Sequence, residues 1–264
     1  MRPMYHRFKW TRSSRRRNGI TMEYEPLQPY FLLAVINAAK CKTFADIGSN
    51  IGAYSVLMSQ ATSVEKVVAF EANRSAAMEM RQNFNLNSLD IEIQTVAVSD
   101  KSGSLSFGVV SRLAGNSAVV DTAANQEFHQ VDQIKCVALD EALGSCSGPF
   151  ALKIDVEGHE KEVLSGARSL LVNPCVIQVE NYGEELKLPE GYNKIAQIGP
   201  DWYFSNMSNL YAADLFEQAA TMMIEANHER KSASIHIGDF ALSVSGTSYD
   251  FFKRIALKYF GSRL

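Results

Sequence analysis

Five short apolar runs, each ending in polar or glycine-bearing residues, constrain the fold: "TFADIGSNIG" (43–52), "KVVAFEAN" (66–73), "IEIQTVAVSD" (91–100), "FALKIDV" (150–156) and "CVIQVE" (175–180). Helical patterns stand between them, over "AYSVLMSQA", over "RSAAMEMRQNFNLN" (74–87) and from Glu160 to Leu171. The last carries Val163, Leu164, Ala167, Leu170 and Leu171 as one stripe that needs a core to face. Strands alternating with helices predict βαβ units and a mostly parallel sheet, covered on both faces.

One run breaks the pattern. In "LKIDVEGHEKEVLSGA" (152–167), Lys153, Asp155 and Glu157 alternate with Leu152, Ile154 and Val156. A strand repeats every two residues, so the charges share one face and the aliphatics the other. Buried charges need partners, so this strand is expected to run out into a ligand crevice, with Lys153 neutralising the neighbouring carboxylates.

Flanking segments are read more coarsely. Pro26 and Pro29 confine a helix within 24–40 to the part that follows them. Residues 104–138 hold short β-like pieces joined by Gly, Asn and Ser, predicting a β-hairpin insertion. Beyond 181, a strand is expected at 201–206, a helix over 211–227, one strand over 234–244 and a closing amphipathic helix over 249–260. These divide the chain into a basic arm (1–22), a main domain (23–210) and a C-terminal extension packed on it (211–264).

The 264 residues suffice for a sizeable core, and 46% hydrophobic with 21% charged residues reads as an ordinary globular protein. A net charge of −3 argues against wholesale nucleic-acid or membrane binding. Charge is uneven, however: residues 1–20 hold Arg2, Arg7, Lys9, Arg12, Arg15, Arg16 and Arg17 without an acid. This stretch reads as a solvated arm, with a phosphorylated or acidic substrate contact and an organelle-targeting presequence as alternatives. Cys41, Cys136, Cys146 and Cys175 are scattered without metal-ligand spacing, so reduced, mostly buried thiols and no metal site are expected. No apolar run reaches the roughly 18 residues of a membrane span. A cytoplasmic protein is the expectation, with its oligomeric state open.

In open parallel sheets, ligands sit outside the carboxyl ends of the strands. The first run ends in Asp46, Gly48, Ser49, Asn50 and Gly52, a G-x-x-x-G turn opening a helix. This differs from the G-x-G-x-x-G that cradles a dinucleotide pyrophosphate. Asp46 would repel a phosphate and suit an ammonium or sulfonium. Glu71, at the second strand end, stands where a carboxylate can bind both ribose hydroxyls, although alone it reads equally well as a helix cap. Ala97 to Ser99, Val98 included, could line an adenine pocket. A diol, a cationic centre and no phosphate describe S-adenosylmethionine (SAM) on a class I, Rossmann-like methyltransferase fold.

The chain resembles the FkbM family of SAM-dependent methyltransferases. Asp46, Gly48, Asn50, Gly52, Tyr54 and Ser55 match its D-x-G-x-N-x-G-x-Y-S loop. Phe70 to Asn73 match F-E-P/A-N, with Ala72 in place of the more usual proline. Lys153 to Ala167 match K-I-D-V-E-G-x-E-x-x-V-L-x-G-A at every fixed position, and Val179-Glu180 match a final acidic strand end. The resemblance spans roughly 40–210 and leaves the basic arm and the C-terminal extension outside. It implies cofactor binding by Asp46, Gly48, Ser49, Asn50, Gly52, Glu71, Ala72, Asn73, Ala97, Val98 and Asp155. It also implies methyl transfer to oxygen, on a carbohydrate or secondary metabolite. Asp155 and then His159 are the candidate bases, with Glu157 and Glu180 as orienting groups; His159 also reads as a solvated first-turn residue. A nucleic-acid methyltransferase using the arm is the alternative, not favoured because "VENYG" stands where [DN]PPY would be expected. A non-catalytic SAM-binding partner protein is the other.

Overall fold

A computed structural model describes residues 8–16, 25, 27–109, 118–120, 128, 130–183, 185–226, 232–237 and 240–245. Helix α1 (Gln28–Ala39) starts with Pro29 in its first turn, where a missing N–H costs nothing, and stops at Lys40 in a left-handed conformation. It leads into β1 (Thr43–Ile47), α2 (Ala53–Met58), β2 (Lys66–Phe70), α3 (Arg74–Leu86) and β3 (Glu92–Gln94). A second sheet follows, from β4 (Ala97–Val98), β5 (Gly103–Val109), β6 (Ala118–Val119) and β7 (Gln130–Val137). The chain then returns through α4 (Leu139–Ala142), β8 (Phe150–Ile154), α5 (Glu160–Ser165), β9 (Cys175–Glu180), β10 (Asn193–Ile198), β11 (Asp201–Ser205) and α6 (Ala212–Ala226). A hairpin of β12 (Ser232–Ile237) and β13 (Phe240–Ser245) comes last among the described residues.

The main sheet has the order β10-β11-β9-β8-β1-β2-β3, with β11 alone running antiparallel to the other six strands. From β1 the chain steps outward one way through β2 and β3, then the other way through β8 and β9. The order therefore reverses between β1 and β8, which opens a crevice outside their carboxyl ends.

Period-two alternation sorts the strands onto two cores. Phe44, Val67, Ala69, Ala151, Val176 and Tyr203 pack on the face covered by α1, α2 and α6. Ala45, Ile47, Val68, Phe70, Leu152, Ile154, Ile177 and Val179 face the other way, toward Val163, Leu164 and Leu139. Every residue of β1 and of β8 is buried.

Three expectations need correction. The third run is not one strand: β3 stops at Gln94, and Ala97 and Val98 pair instead with Cys136 and Val137 of the second sheet. The helix from Glu160 ends at Ser165 rather than Leu171. There, the Asp140 carboxylate accepts the backbone N–H groups of Ser169 (2.9 Å) and Leu170 (2.8 Å), capturing the chain in a separate turn. The single strand expected over 234–244 is instead parts of two, β12 and β13, paired antiparallel with each other. Strand β10 has no expectation to match, and the helix expected over 249–260 lies outside the described residues. The hairpin insertion is present as the second sheet.

The N-terminal segment also differs from a solvated arm where it is described. Trp10 is buried, and Thr11, Ser13 and Ser14 all direct hydroxyls at the Glu79 carboxylate on α3. Lys9 and Asn87 exchange two hydrogen bonds of 2.7 Å.

Candidate active site

The loop after β1 is built by close packing on its neighbours. Gly48 has φ +74°, and a Cβ on it would lie 1.8 Å from the carbonyl oxygen of Asp155. The Gly48 and Ser49 N–H groups both donate to Phe70 O at 3.0 Å, tying the loop to the end of β2. The Ser49 hydroxyl donates to the same carbonyl, so its side chain points inward. Gly52, at φ +81°, heads α2 where a side chain would strike Phe84 and Met80.

Glu71 closes this loop from the second strand end. Its Oε2 accepts from Asn50 N (2.7 Å) and its Oε1 from Asn73 N (2.7 Å). Each oxygen keeps a second lone pair. Burial pushes Glu71 up to about 7, against the pull of those two backbone bonds. The capping of α3 falls to Asn73, whose Oδ1 accepts from Ser75 N and Ala76 N. Glu71 is thus free of the capping role; Ala72 between them is half-buried.

Asp46 is 1% exposed. Its Oδ2 accepts from both the N–H (2.9 Å) and the hydroxyl (2.7 Å) of Ser55, pinning the head of α2 to β1. Its Oδ1 is fully buried without a hydrogen-bond partner among the described residues. Burial raises its proton affinity, opposed by Lys153 and Ser55.

Strand register then explains the alternating charges. Asp46 pairs with Lys153, Lys153 with Gln178, and Gln178 with Tyr203, one lateral row across four strands. Lys153 is therefore buried, 5% exposed, rather than standing in the open crevice. Its Nζ lies 2.9 Å from Asp155 Oδ2 and 4.8 Å from the Tyr54 ring centroid. Burial alone would lower its proton affinity, but the Asp155, Asp46 and Glu25 carboxylates outweigh that and hold it charged.

One step farther along the strands lies a second, more open row. Asp155 follows β8, and Glu180 at the end of β9 pairs with Asp201 at the start of β11. Glu180 Oε1 accepts from the Tyr182 hydroxyl at 2.8 Å, and Asp201 Oδ1 from Gln178 Nε2 at 2.8 Å. Burial first, then the charge of Asp155, pushes Glu180 up to about 8. Burial and Glu25 push Asp201 up to about 7 despite Gln178 and Lys153.

Of the other candidates, Glu157 is exposed in the turn after β8, at φ +55°, with Asp155 and Glu160 nearby. His159 is neither solvated nor in the crevice row. It is 5% exposed, its Nε2 lies 3.0 Å from the Ser99 hydroxyl and its Nδ1 3.6 Å from Glu162. It ties the end of β4 to the head of α5, so the structure corrects the reading of it as a solvated first-turn residue. Ala97 and Val98 are buried in the second sheet, and the Ser99 N–H donates to Val137 O at 3.0 Å.

Gln178, Asp201 and Tyr182 carry no role in the sequence reading. Gln178 was detectable: with Glu180 it alternates against Ile177 and Val179, the same anomaly that marks Lys153. Asp201 was not, because only antiparallel register brings it opposite Glu180. Among the described residues, no group of three or more His, Cys, Asp or Glu is arranged to hold a metal ion. No described helix is long and apolar enough to cross a membrane.

A loop without a phosphate cradle, a buried carboxylate at the second strand end and an acidic crevice at the switch point agree with one family assignment. Residues 46–204 match the methyltransferase FkbM domain. The chain belongs to the FkbM methyltransferase family. Its cofactor is SAM, and the fold is that of class I methyltransferases. Over 138 residues the chain is 30% identical to hexuronic acid methyltransferase AglP of Haloferax volcanii, covering 51% of this chain and 54% of that protein. The match thus spans about half the length of this curated relative. Among solved structures, it is similar to an O-methyltransferase from Bacillus cereus in complex with SAH (TM-score 0.40, 12% identity, 68% of this chain and 80% of that one). It is also similar to a methyltransferase from Geobacter sulfurreducens (TM-score 0.41, 14% identity, 68% and 78%).

Proposed function

We propose that this FkbM methyltransferase methylates a carbohydrate hydroxyl, with Glu180 as general base. The residues at the strand ends fit SAM. Glu71 has one free lone pair on each oxygen for a ribose diol, Asp46 Oδ1 lacks a donor, and the Gly48–Gly52 turn brings backbone close to a ligand. Ala97 and Val98 back the adenine side, and Asp155 faces the sulfonium. When bound, SAM supplies an electrophilic methyl and a neutral leaving group.

The chain's own task is positioning and proton removal. The observation that carries the reading is the unequal pair at the crevice mouth. Asp155 is already committed to the Lys153 ammonium at 2.9 Å. Glu180 accepts from the Tyr182 hydroxyl, and burial first, then the charge and hydrogen bond of Asp155, raise it to about 8, which suits it to take a proton. It takes the hydroxyl proton as the oxygen–carbon bond forms. The AglP relative is named for a sugar acid, which supports a carbohydrate acceptor.

The test is transfer of labelled methyl from SAM to glycan and metabolite extracts, followed by identification of the labelled atom. Label on sugar oxygen is expected; label on nitrogen, nucleic acid or protein overturns the reading. Glu180→Gln should lower kcat by about 10²–10⁴-fold without weakening SAM binding. It should also abolish a rise in rate with pH through about 8. Full turnover by that variant removes Glu180 as base.

A further inference from the structure

Tyr54 follows the cofactor loop at the head of α2, is buried, and is held at both ends. At its backbone, the neighbouring Ser55 is fastened to Asp46 by two hydrogen bonds. At its far end the hydroxyl donates to Glu25 Oε2 at 2.6 Å and accepts from Gln178 Nε2 at 3.3 Å. The Lys153 ammonium lies over the ring, 4.8 Å from its centroid, and binds Asp155 Oδ2 at 2.9 Å. A cation over an aromatic face is attracted by the ring quadrupole, so the ring's orientation bears on where the ammonium rests.

Glu25 comes from outside residues 46–204, the stretch that matches the family domain. It stands just ahead of α1, half-buried, at φ +46°, a left-handed conformation unfavourable for a residue with a Cβ. The chain beyond it is fixed, since Leu27 is buried and the Tyr203 hydroxyl donates to Gln28 O at 3.3 Å. Glu25 also adds to the field that keeps Lys153 protonated, but Asp155 and Asp46 contribute more. The ammonium therefore stays charged without it. What Glu25 adds specifically is a hydrogen bond of the short length expected for a hydroxyl on a carboxylate, which stops the Tyr54 ring from turning.

We propose that Glu25 and Tyr54 are positioning residues: they fix the ring under the Lys153 ammonium, and through it hold the Asp155 carboxylate in place for the sulfonium of SAM. The proposal rests on the reading that Asp155 faces that sulfonium. It makes the segment ahead of α1 part of the cofactor site.

SAM carries the sulfonium charge and S-adenosylhomocysteine does not, so the ratio of their dissociation constants reads the placement of Asp155. Calorimetry on the full chain at neutral pH measures both. Asp155→Asn should shift the ratio against SAM by about tenfold. Tyr54→Phe and Glu25→Ala should each shift it by about three- to fivefold, with S-adenosylhomocysteine binding within about twofold of wild type. The double variant should go no further than the larger single change, because both substitutions remove the same bond. Glu25→Gln keeps an oxygen to accept the Tyr54 hydroxyl and should restore most of the ratio.

A ratio left unchanged by Tyr54→Phe and Glu25→Ala, even if both ligands weaken together, marks a contact of the fold alone and overturns the inference. So do additive shifts in the double variant, or a Glu25→Gln protein as impaired as Glu25→Ala. Each of these leaves the sulfonium reading standing where Asp155→Asn shifts the ratio. An unchanged ratio in Asp155→Asn overturns both.

Discussion

Gly48 shows how one residue can set the position of a site. Its left-handed backbone and the 1.8 Å approach of Asp155 O to any Cβ fix the cofactor loop against the strand that carries the crevice charges. Gly48→Ala adds about 1–2 kcal/mol of backbone strain and about 1–3 kcal/mol of overlap. Denaturant unfolding should show a stability loss of that order together with weakened SAM binding. An unchanged midpoint would mean that the loop and the end of β8 are not in contact. Gly48, Glu71 and Asp155 were legible in the sequence because each sits at a strand end, where chain order alone implies a crevice. His159 was not. Its neighbour Ser99 is 60 residues away in sequence, and burial between α5 and β4 depends on a sheet the third run was not expected to join.

At the scale of elements, α3 joins the cofactor loop to the N-terminal segment. Asn83 donates through Nδ2 to Ile51 O in the loop and to the Ser14 hydroxyl, each at 2.9 Å, and its Oδ1 accepts from Thr11 N at 3.1 Å. Asn83→Ala removes these bonds from a fully buried position. It should cost about 1–3 kcal/mol per polar group left unsatisfied. Hydrogen exchange should accelerate at residues 9–14 and at the loop together; acceleration at only one of them would show that the two are not linked. The period of hydrophobic residues predicted α3 itself. It could not predict what covers Glu79, Asn83 and Asn87, since polar residues at this spacing read as a solvated face. Similarly, the stripe from Val163 to Leu171 is real as a buried surface, but Asp140 breaks it into two turns by accepting backbone groups.

Across the whole molecule, the concentration of carboxylates at the strand ends links stability to pH. Burial raises Glu71 from 4.5 to about 7, Asp201 from 3.8 to about 7 and Glu180 from 4.5 to about 8. Groups whose folded-state values exceed the unfolded ones favour the protonated form, so their contribution is fully present below the unfolded values. It is lost as pH rises through about 7–8. Thermal unfolding without ligand should therefore show Tm falling between about pH 5 and pH 8, and Asp201→Asn should flatten part of that fall. Identical pH slopes for variant and wild type would rule out Asp201 as a source. By itself, the sequence determined the alternation of strand and helix, the two-sided burial of the sheet and the polar residues at its carboxyl ends, because these follow from local periodicity and chain order. Only the tertiary structure decided that Lys153 is buried beneath the crevice, that Glu180 faces Asp201 and Asp155, and that His159 lies outside that row. Those relations arise from register between strands distant in sequence, and the proton affinities follow from the burial and charge that register creates.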